Sequence, residues 1–123
     1  MKRFILLLCC VLALVFLVIG YSNRIDFTYP GEYTNYGGDY ITISETENGN
    51  YHVELFFYRL TYIDDGVGSA AGDTLSFSAT DSGGTPIYGE LKWKHDNRTL
   101  ILTFTDSQWP YIETGMSYEF YRQ

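Results

Sequence analysis

Residues 40 to 58 read YITISETENGNYHVELFFY, and the alternation in this stretch sets the architecture. Successive side chains of an extended strand point to opposite faces, so Ile41 and Ile43 share one face while Tyr40, Thr42 and Ser44 share the other. Glu47-Asn48-Gly49-Asn50 follows, with an Asn-Gly pair in which both residues tolerate positive φ, the strongest short signal for a hairpin turn. On the returning strand Tyr51, Val53, Leu55 and Phe57 lie opposite His52, Glu54, Phe56 and Tyr58. Beyond Tyr58 the phase slips and Leu60 and Tyr62 take over inward positions, which predicts one extra residue, a β-bulge, near Tyr58-Arg59.

The same period-two pattern recurs along the rest of the chain, with each run ended by Gly, Asp or Asn. Asp64-Asp65-Gly66 reads as a turn, and Val67 to Gly72 is so poor in bulky side chains that it reads as a weak edge strand or a flexible flap. Thr74 to Thr80 places Leu75, Phe77 and Ala79 inward, and after Asp81-Ser82-Gly83-Gly84 the next strand is lined by Ile87, Gly89, Leu91 and Trp93. His95-Asp96-Asn97-Arg98 turns the chain back into Leu100, Leu102 and Phe104. After a loop from Asp106 to Gly115, Met116, Tyr118 and Phe120 face inward on the last strand.

Seven or eight short antiparallel strands over residues 31–123 cannot stay a flat sheet with one apolar face; they close as a barrel or stack as a sandwich, and the expected fold is an all-β small antiparallel barrel. Beyond Gly20 lie all twelve Tyr, six of the eight Phe and both Trp. A domain with no cysteine in this part gains its burial from such large flat side chains, each contributing about 1.5 to 3 kcal/mol when fully buried.

Upstream, Met1-Lys2-Arg3 precedes FILLLCCVLALVFLVIG, residues 4–20, the order of charge and then apolar residues that an export machinery reads. The run is slightly long for a signal peptide and at the lower limit for a membrane span, so residues 1–22 are either a signal peptide cleaved near Gly20 to Ser22 or an uncleaved anchor. Lys2 and Arg3 keep the N-terminus inside in the second case, so both place the domain on the extracytoplasmic side, secreted or anchored. Residues 23–30 then read as a linker. Cys9 and Cys10 lie within the apolar run and act as small hydrophobes there.

The whole chain carries fifteen Asp plus Glu against eight Lys plus Arg, a net −7; without residues 1–22, and so without Lys2 and Arg3, fifteen stand against six, a net −9. That balance argues against nucleic acid, whose phosphates are bound by Lys and Arg releasing counterions. With His52 and His95 the only histidines, no soft-metal cluster and no cofactor is expected.

The stretch Gly31-Glu32-Tyr33-Thr34-Asn35-Tyr36-Gly37-Gly38-Asp39-Tyr40-Ile41-Thr42-Ile43 resembles the opening strand of the avidin and lipocalin barrels, the calycin-like folds, with Tyr33 in place of the usual Trp. The end of the chain, Trp109 to Gly115 and Phe120-Tyr121-Arg122, is similar to their closing strands. The resemblance covers the first and last strands only. It implies a terminal Arg122 packed across Tyr33, and it implies Asn35 as a ligand contact and Trp109 as an aromatic wall. Asp39 stands where avidins carry a Ser, a carboxylate in place of a hydroxyl donor, and the chain reads about one hairpin short, so biotin is not the expected ligand.

A Ser-His-Asp relay would have to use His52, which alternates outward beside Glu54, or His95, which sits in a turn; both read as ordinary surface residues. Glu54, Glu90 and Glu119 are paired-carboxylate candidates for glycoside hydrolysis, but all three alternate outward as solvated residues. Asp64, Asp65, Asp73 and Asp81 lack calcium-loop spacing and read as turn caps. Tyr58, Tyr62, Tyr88, Trp109 and Tyr111 fit the inward stripes least well, and flat rings with polar tips are what sugars and proteins stack against; the alternative is that Trp109-Pro110-Tyr111 plugs one barrel end.

The expected function is therefore non-catalytic: an extracytoplasmic barrel that binds a small molecule, glycan or protein through Asn35, Asp39, Tyr62, Trp109 and Tyr111 at one open end. The alternative is a small envelope inhibitor or immunity-like protein acting on a basic cell-wall enzyme. Export itself is testable by mass spectrometry of medium and membrane fractions of the host. A released chain beginning near Tyr21 or Asn23, or an intact chain open to external protease on whole cells, is expected; an intact chain in the cytosol overturns the reading.

Overall fold

The computed structural model describes residues 28–123; the signal peptide or anchor expected over residues 1–22 and most of the linker expected over 23–30 lie outside the described residues. Eight strands follow in chain order: β1 Gly31–Thr34, β2 Tyr40–Glu45, β3 Tyr51–Phe57, β4 Thr61–Ala71, β5 Thr74–Thr80, β6 Pro86–Trp93, β7 Thr99–Asp106 and β8 Ser117–Arg122. Each pairs antiparallel with its neighbour in sequence, and β1 pairs with β8 to close the barrel. The hairpin over residues 40–58 forms with Tyr40 opposite Phe56 and Ile43 opposite Val53, turning at Gly49, whose φ is 78°.

The inward stripes form one core. Ile41, Leu55, Ile87, Leu91, Leu102 and Phe104 are fully buried, and the rings of Tyr33, Phe57, Trp93 and Phe120 fill the remaining section. At eight strands the bore of a barrel is just wide enough for side chains to fill. Here they do. One end carries the β1–β2, β3–β4, β5–β6 and β7–β8 connections, and the last of these drops Ile112 onto the core. At the other end the chain enters β1 and leaves β8, and Tyr29 packs edge-on there against both Tyr51 and Trp93 at centroid distances of 5.3 and 5.2 Å.

The closing seam is short, with Tyr33 opposite Arg122 and Thr34 opposite Tyr121. Arg122 lies over the Tyr33 ring at 4.9 Å, the contact that the resemblance implies, and donates to the carbonyls of Pro30 (3.0 Å), Asn97 (3.2 Å) and Thr28. Beneath it the buried Tyr33 hydroxyl accepts from Trp93 Nε1 at 3.0 Å and donates to the Tyr29 carbonyl at 3.1 Å.

Several expectations are corrected between Tyr58 and Gly72. The phase slip at Tyr58-Arg59 is not a bulge but a tight turn between two strands, with Arg59 at a φ of 62° and Leu60 N donating to the Phe57 carbonyl at 2.9 Å. Thr61 and Ile63 therefore take the inward positions, and Leu60 and Tyr62 are exposed. The bulge lies farther on: Val53 pairs with Gly66 and Leu55 with Ile63, so Asp64 and Asp65 together face Glu54. Asp64-Asp65-Gly66 is thus part of β4 rather than a turn, and glycine is required there because a Cβ on Gly66 would lie 2.5 Å from the Val53 carbonyl oxygen. Val67 to Ala71 is neither edge nor flap, since it pairs with β5 throughout and reaches β3 at Val67 and Gly68. Met116 is exposed because it ends the loop before β8 begins. The apparent shortfall of a hairpin disappears once β3 and β4 are counted separately.

Gly89 on β6 faces the bore, and a Cβ there would meet Phe77 Cζ at 2.5 Å and the Thr103 carbonyl at 3.1 Å. Gly89→Ala is expected to destabilise by about 1 to 3 kcal/mol through overpacking. Urea unfolding followed by tryptophan emission measures it, and an unchanged midpoint means that the core is looser than described.

Candidate functional site

The sequence-derived residues divide among three places. Asn35 and Asp39 belong to the β1–β2 loop and bind each other. Asn35 Oδ1 accepts from the amides of Gly37 (2.9 Å) and Asp39 (3.1 Å), and its Nδ2 donates to Asp39 Oδ2 at 3.0 Å. The other Asp39 oxygen accepts the Tyr58 amide at 2.8 Å, which ties this loop to the β3–β4 turn. The negative charge of Asp39 also adds to the effect of burial in raising the Tyr118 hydroxyl pKa. These groups hold two loops in place.

Trp109 and Tyr111 lie together on the β7–β8 loop, edge to face at 5.8 Å. Trp109 is half-buried; its Nε1 donates to the Leu60 carbonyl at 3.2 Å and its ring lies close over Gly83, so it locks three loops of one end. The loop is built for this. Ser107 Oγ donates to the Ile112 carbonyl at 2.8 Å and accepts the Trp109 amide at 3.2 Å, so Trp109 and Ile112 turn toward the barrel. Tyr111 turns away and is 63% exposed; Tyr58, under the Arg59 guanidinium at 5.2 Å, is 57% exposed. Among the described residues this end has no mouth, because Ile112 covers the core beneath the rings.

Tyr62 belongs elsewhere, on the outer face of the sheet. The register sets Tyr40, Phe56 and Tyr62 side by side on β2, β3 and β4. Tyr40 stacks on Phe56 at 5.1 Å with 19° between the rings, and Phe56 meets Tyr62 at 6.4 Å, edge-on. The next row places Glu32, Thr42 and Glu54 in register on β1, β2 and β3. Between the rows lies a cleft of about 430 Å³ lined by Glu32, Thr34, Tyr40, Thr42 and Glu54. Glu54 Oε1 accepts the Tyr62 hydroxyl, and this hydrogen bond, before burial and the charge of Glu54, pushes the Tyr62 pKa up to about 12.

The carboxylate candidates separate in the same way. Glu54 faces this cleft, whereas Glu90 is exposed on β6 and Glu119 on β8 bridges to Lys94 at 2.9 Å, an exposed pair that contributes little to stability. Asp65, Asp73 and Asp81 spend oxygens on the Thr80 amide, the Thr74 hydroxyl and the Gly83 and Thr85 amides respectively. Among the described residues no three His, Cys, Asp or Glu side chains converge as metal ligands. Glu32, Tyr40 and Phe56 were not singled out from the sequence, although the Asn48-Gly49 turn carries the register that makes Tyr40 and Phe56 neighbours.

No protein-family model matches the chain, and comparison with curated proteins and with solved structures gives no match.

The Tyr62–Glu54 pair has a pH signature. A phenol with a pKa raised above 10.0 favours its neutral form in the folded state, so the pair contributes fully below pH 10 and is lost as pH rises through about 12. In a 13Cζ-tyrosine titration Tyr62 is expected among the last tyrosines to ionise, and Glu54→Gln to return it toward 10. If Glu54→Gln leaves its titration unmoved, the hydrogen bond is not the cause.

Proposed function

We propose that this chain is a non-catalytic extracytoplasmic binding module with a calycin-like barrel, exported by residues 1–22 and engaging its ligand or partner through the aromatic loops at the β7–β8 end. One observation carries the reading: Tyr58 and Tyr111 are held exposed on a loop layer pinned by Trp109, above a bore already filled by side chains. A ligand must then meet the outside of the barrel. Rings presented by rigid loops lose little freedom on binding, which makes tyrosine and tryptophan effective contact residues. The calycin-like assignment is supported by the up-and-down strand order and by Arg122 over Tyr33. Export is supported by Lys2 and Arg3 ahead of the apolar residues 4–20.

A second reading, an inhibitor or immunity-like protein for a basic cell-wall enzyme, is favoured by the one-sided distribution of charge. No Lys or Arg occurs from Ile25 to Tyr58 or from Leu60 to Leu91, while acids occur throughout. Such a surface steers a basic partner, and salt screens the attraction over about 10 Å at 0.1 M.

Titration calorimetry against soluble cell-wall glycan fragments and against a purified basic lysozyme distinguishes the two. Tyr111→Ala is expected to weaken the binding partner about tenfold or more without shifting the thermal midpoint. Trp109→Ala is expected to weaken it too, with some loss of stability as the bond to Leu60 goes. Full affinity in Tyr111→Ala rules out the loop site, and lysozyme binding that collapses between low and moderate salt favours the inhibitor.

A further inference from the structure

The cleft on the outer face of β1–β3 has the chemistry of a receptor for a planar cation. Glu32 and Glu54 stand in register on either side of Thr42, their backbones two strand spacings apart, about 10 Å. The Tyr40 ring lines the same space and is backed by Phe56. Glu54 is positioned rather than free to swing, because Tyr62 holds one of its oxygens. Among the described residues nothing bonds its other oxygen or either oxygen of Glu32, so acceptor capacity remains at both ends of the cleft.

Among the described residues the cations are placed where they cannot fill it. Lys92, Lys94 and Arg98 belong to β6 and the β6–β7 turn, Arg122 is bound to carbonyls at the seam, and Arg59 lies over Tyr58. Among the described residues the face made by β1 to β3 carries acids without a Lys or Arg counterion. Its missing partner is positive, and two features select the kind of cation. An aromatic wall favours a flat, weakly hydrated group over a compact ammonium, and paired carboxylate acceptors match the fork of a guanidinium.

We propose that this cleft seats an arginine side chain of a basic partner protein, its guanidinium against Tyr40 and hydrogen-bonded to Glu54 and Glu32. The site lies on the barrel wall, apart from Trp109 and Tyr111, so it stands or falls separately from the loop end. Binding there uses no lumen and moves no strand. A metal ion is a poor occupant, since among the described residues only two carboxylates converge.

The test is an amide NMR titration of the folded protein at low ionic strength with the blocked tripeptide acetyl-Gly-Arg-Gly-amide, alongside its Lys and norleucine counterparts. The Arg peptide is expected to shift the amides of Glu32, Thr42 and Glu54, the Lys peptide to act more weakly, and the norleucine peptide not at all. Glu54→Gln and Tyr40→Ala are each expected to weaken the Arg peptide at least fivefold, while Glu90→Gln, an equal loss of charge on the far side of the barrel, leaves it unchanged. The same spectra report whether each variant is folded, and Glu54→Gln, nearly isosteric, serves if Tyr40→Ala is not. Equal weakening by Glu90→Gln overturns the proposal in favour of bulk charge. Shifts gathered at Trp109 and Tyr111 overturn it in favour of the loop end, and a response to neutral oligosaccharide at the cleft but not to the Arg peptide overturns it in favour of a glycan.

Discussion

Closure of the barrel rests on Arg122. β1 is only four residues long and meets β8 at two registered positions, so the backbone ladder alone makes a weak seam. Arg122 compensates by donating to carbonyls from three places, Thr28, Pro30 and Asn97, while covering the Tyr33 ring. Hydrogen bonds from a charged donor contribute about 1.5 to 3 kcal/mol each, against about 0.5 to 1.5 for an ordinary ladder bond, so a few of them offset the rungs that a four-residue strand lacks. Tyr33 continues the connection inward through Trp93, so one cation, one phenol and one indole join the first strand, the last strand and β6. The outer cleft depends on this seam as well. With Tyr33 fixed inward, alternation fixes Glu32 and Thr34 outward, and both line the cleft.

The way the interior is filled decides where binding can occur. In a barrel of this strand number a lumen is made by leaving small side chains inside, and this chain does the opposite, with Trp93, Tyr33, Phe57, Phe104 and Phe120 all buried. The few small inward residues are used up by their neighbours; Gly89 makes room for Phe77 rather than for a ligand. A filled bore gives a small domain without cysteines its stability and leaves only the outer surface open to contact with another molecule. The aromatic residues left over from the core are the ones that make that surface distinctive.

Much of the fold was legible because alternation is a direct record of which face is buried. The inward residues of β2, β3, β5, β6 and β7 were all identified from period two alone. The reading failed between Tyr58 and Gly72 for two physical reasons. The β3–β4 turn places Arg59 at positive φ with no Gly, Asn or Pro in Tyr58-Arg59-Leu60 to mark it, so a chain reversal looked like a slip within one strand. Farther on, Asp64-Asp65-Gly66 has the composition of a turn, but Gly66 is there because the bulged strand approaches the Val53 carbonyl too closely for any Cβ.

The candidate surfaces were legible to a lesser degree, because a surface on a sheet is assembled across strands. Tyr62 stood out only as a residue without a settled place, and the misplaced bulge set it facing inward, where it could not be matched with Phe56 and Tyr40. Asn35 and Asp39 show the converse. Their place in a polar loop drew attention, yet Asn35 bonds two amides and Asp39, and Asp39 spends its remaining oxygen on the Tyr58 amide. A polar side chain offers chemistry to a ligand only to the extent that its hydrogen-bonding capacity exceeds what its own loop consumes. On that measure the unspent carboxylate oxygens of Glu32 and Glu54 carry more than the whole β1–β2 loop, and the difference lies in cross-strand register, which residue type does not reveal.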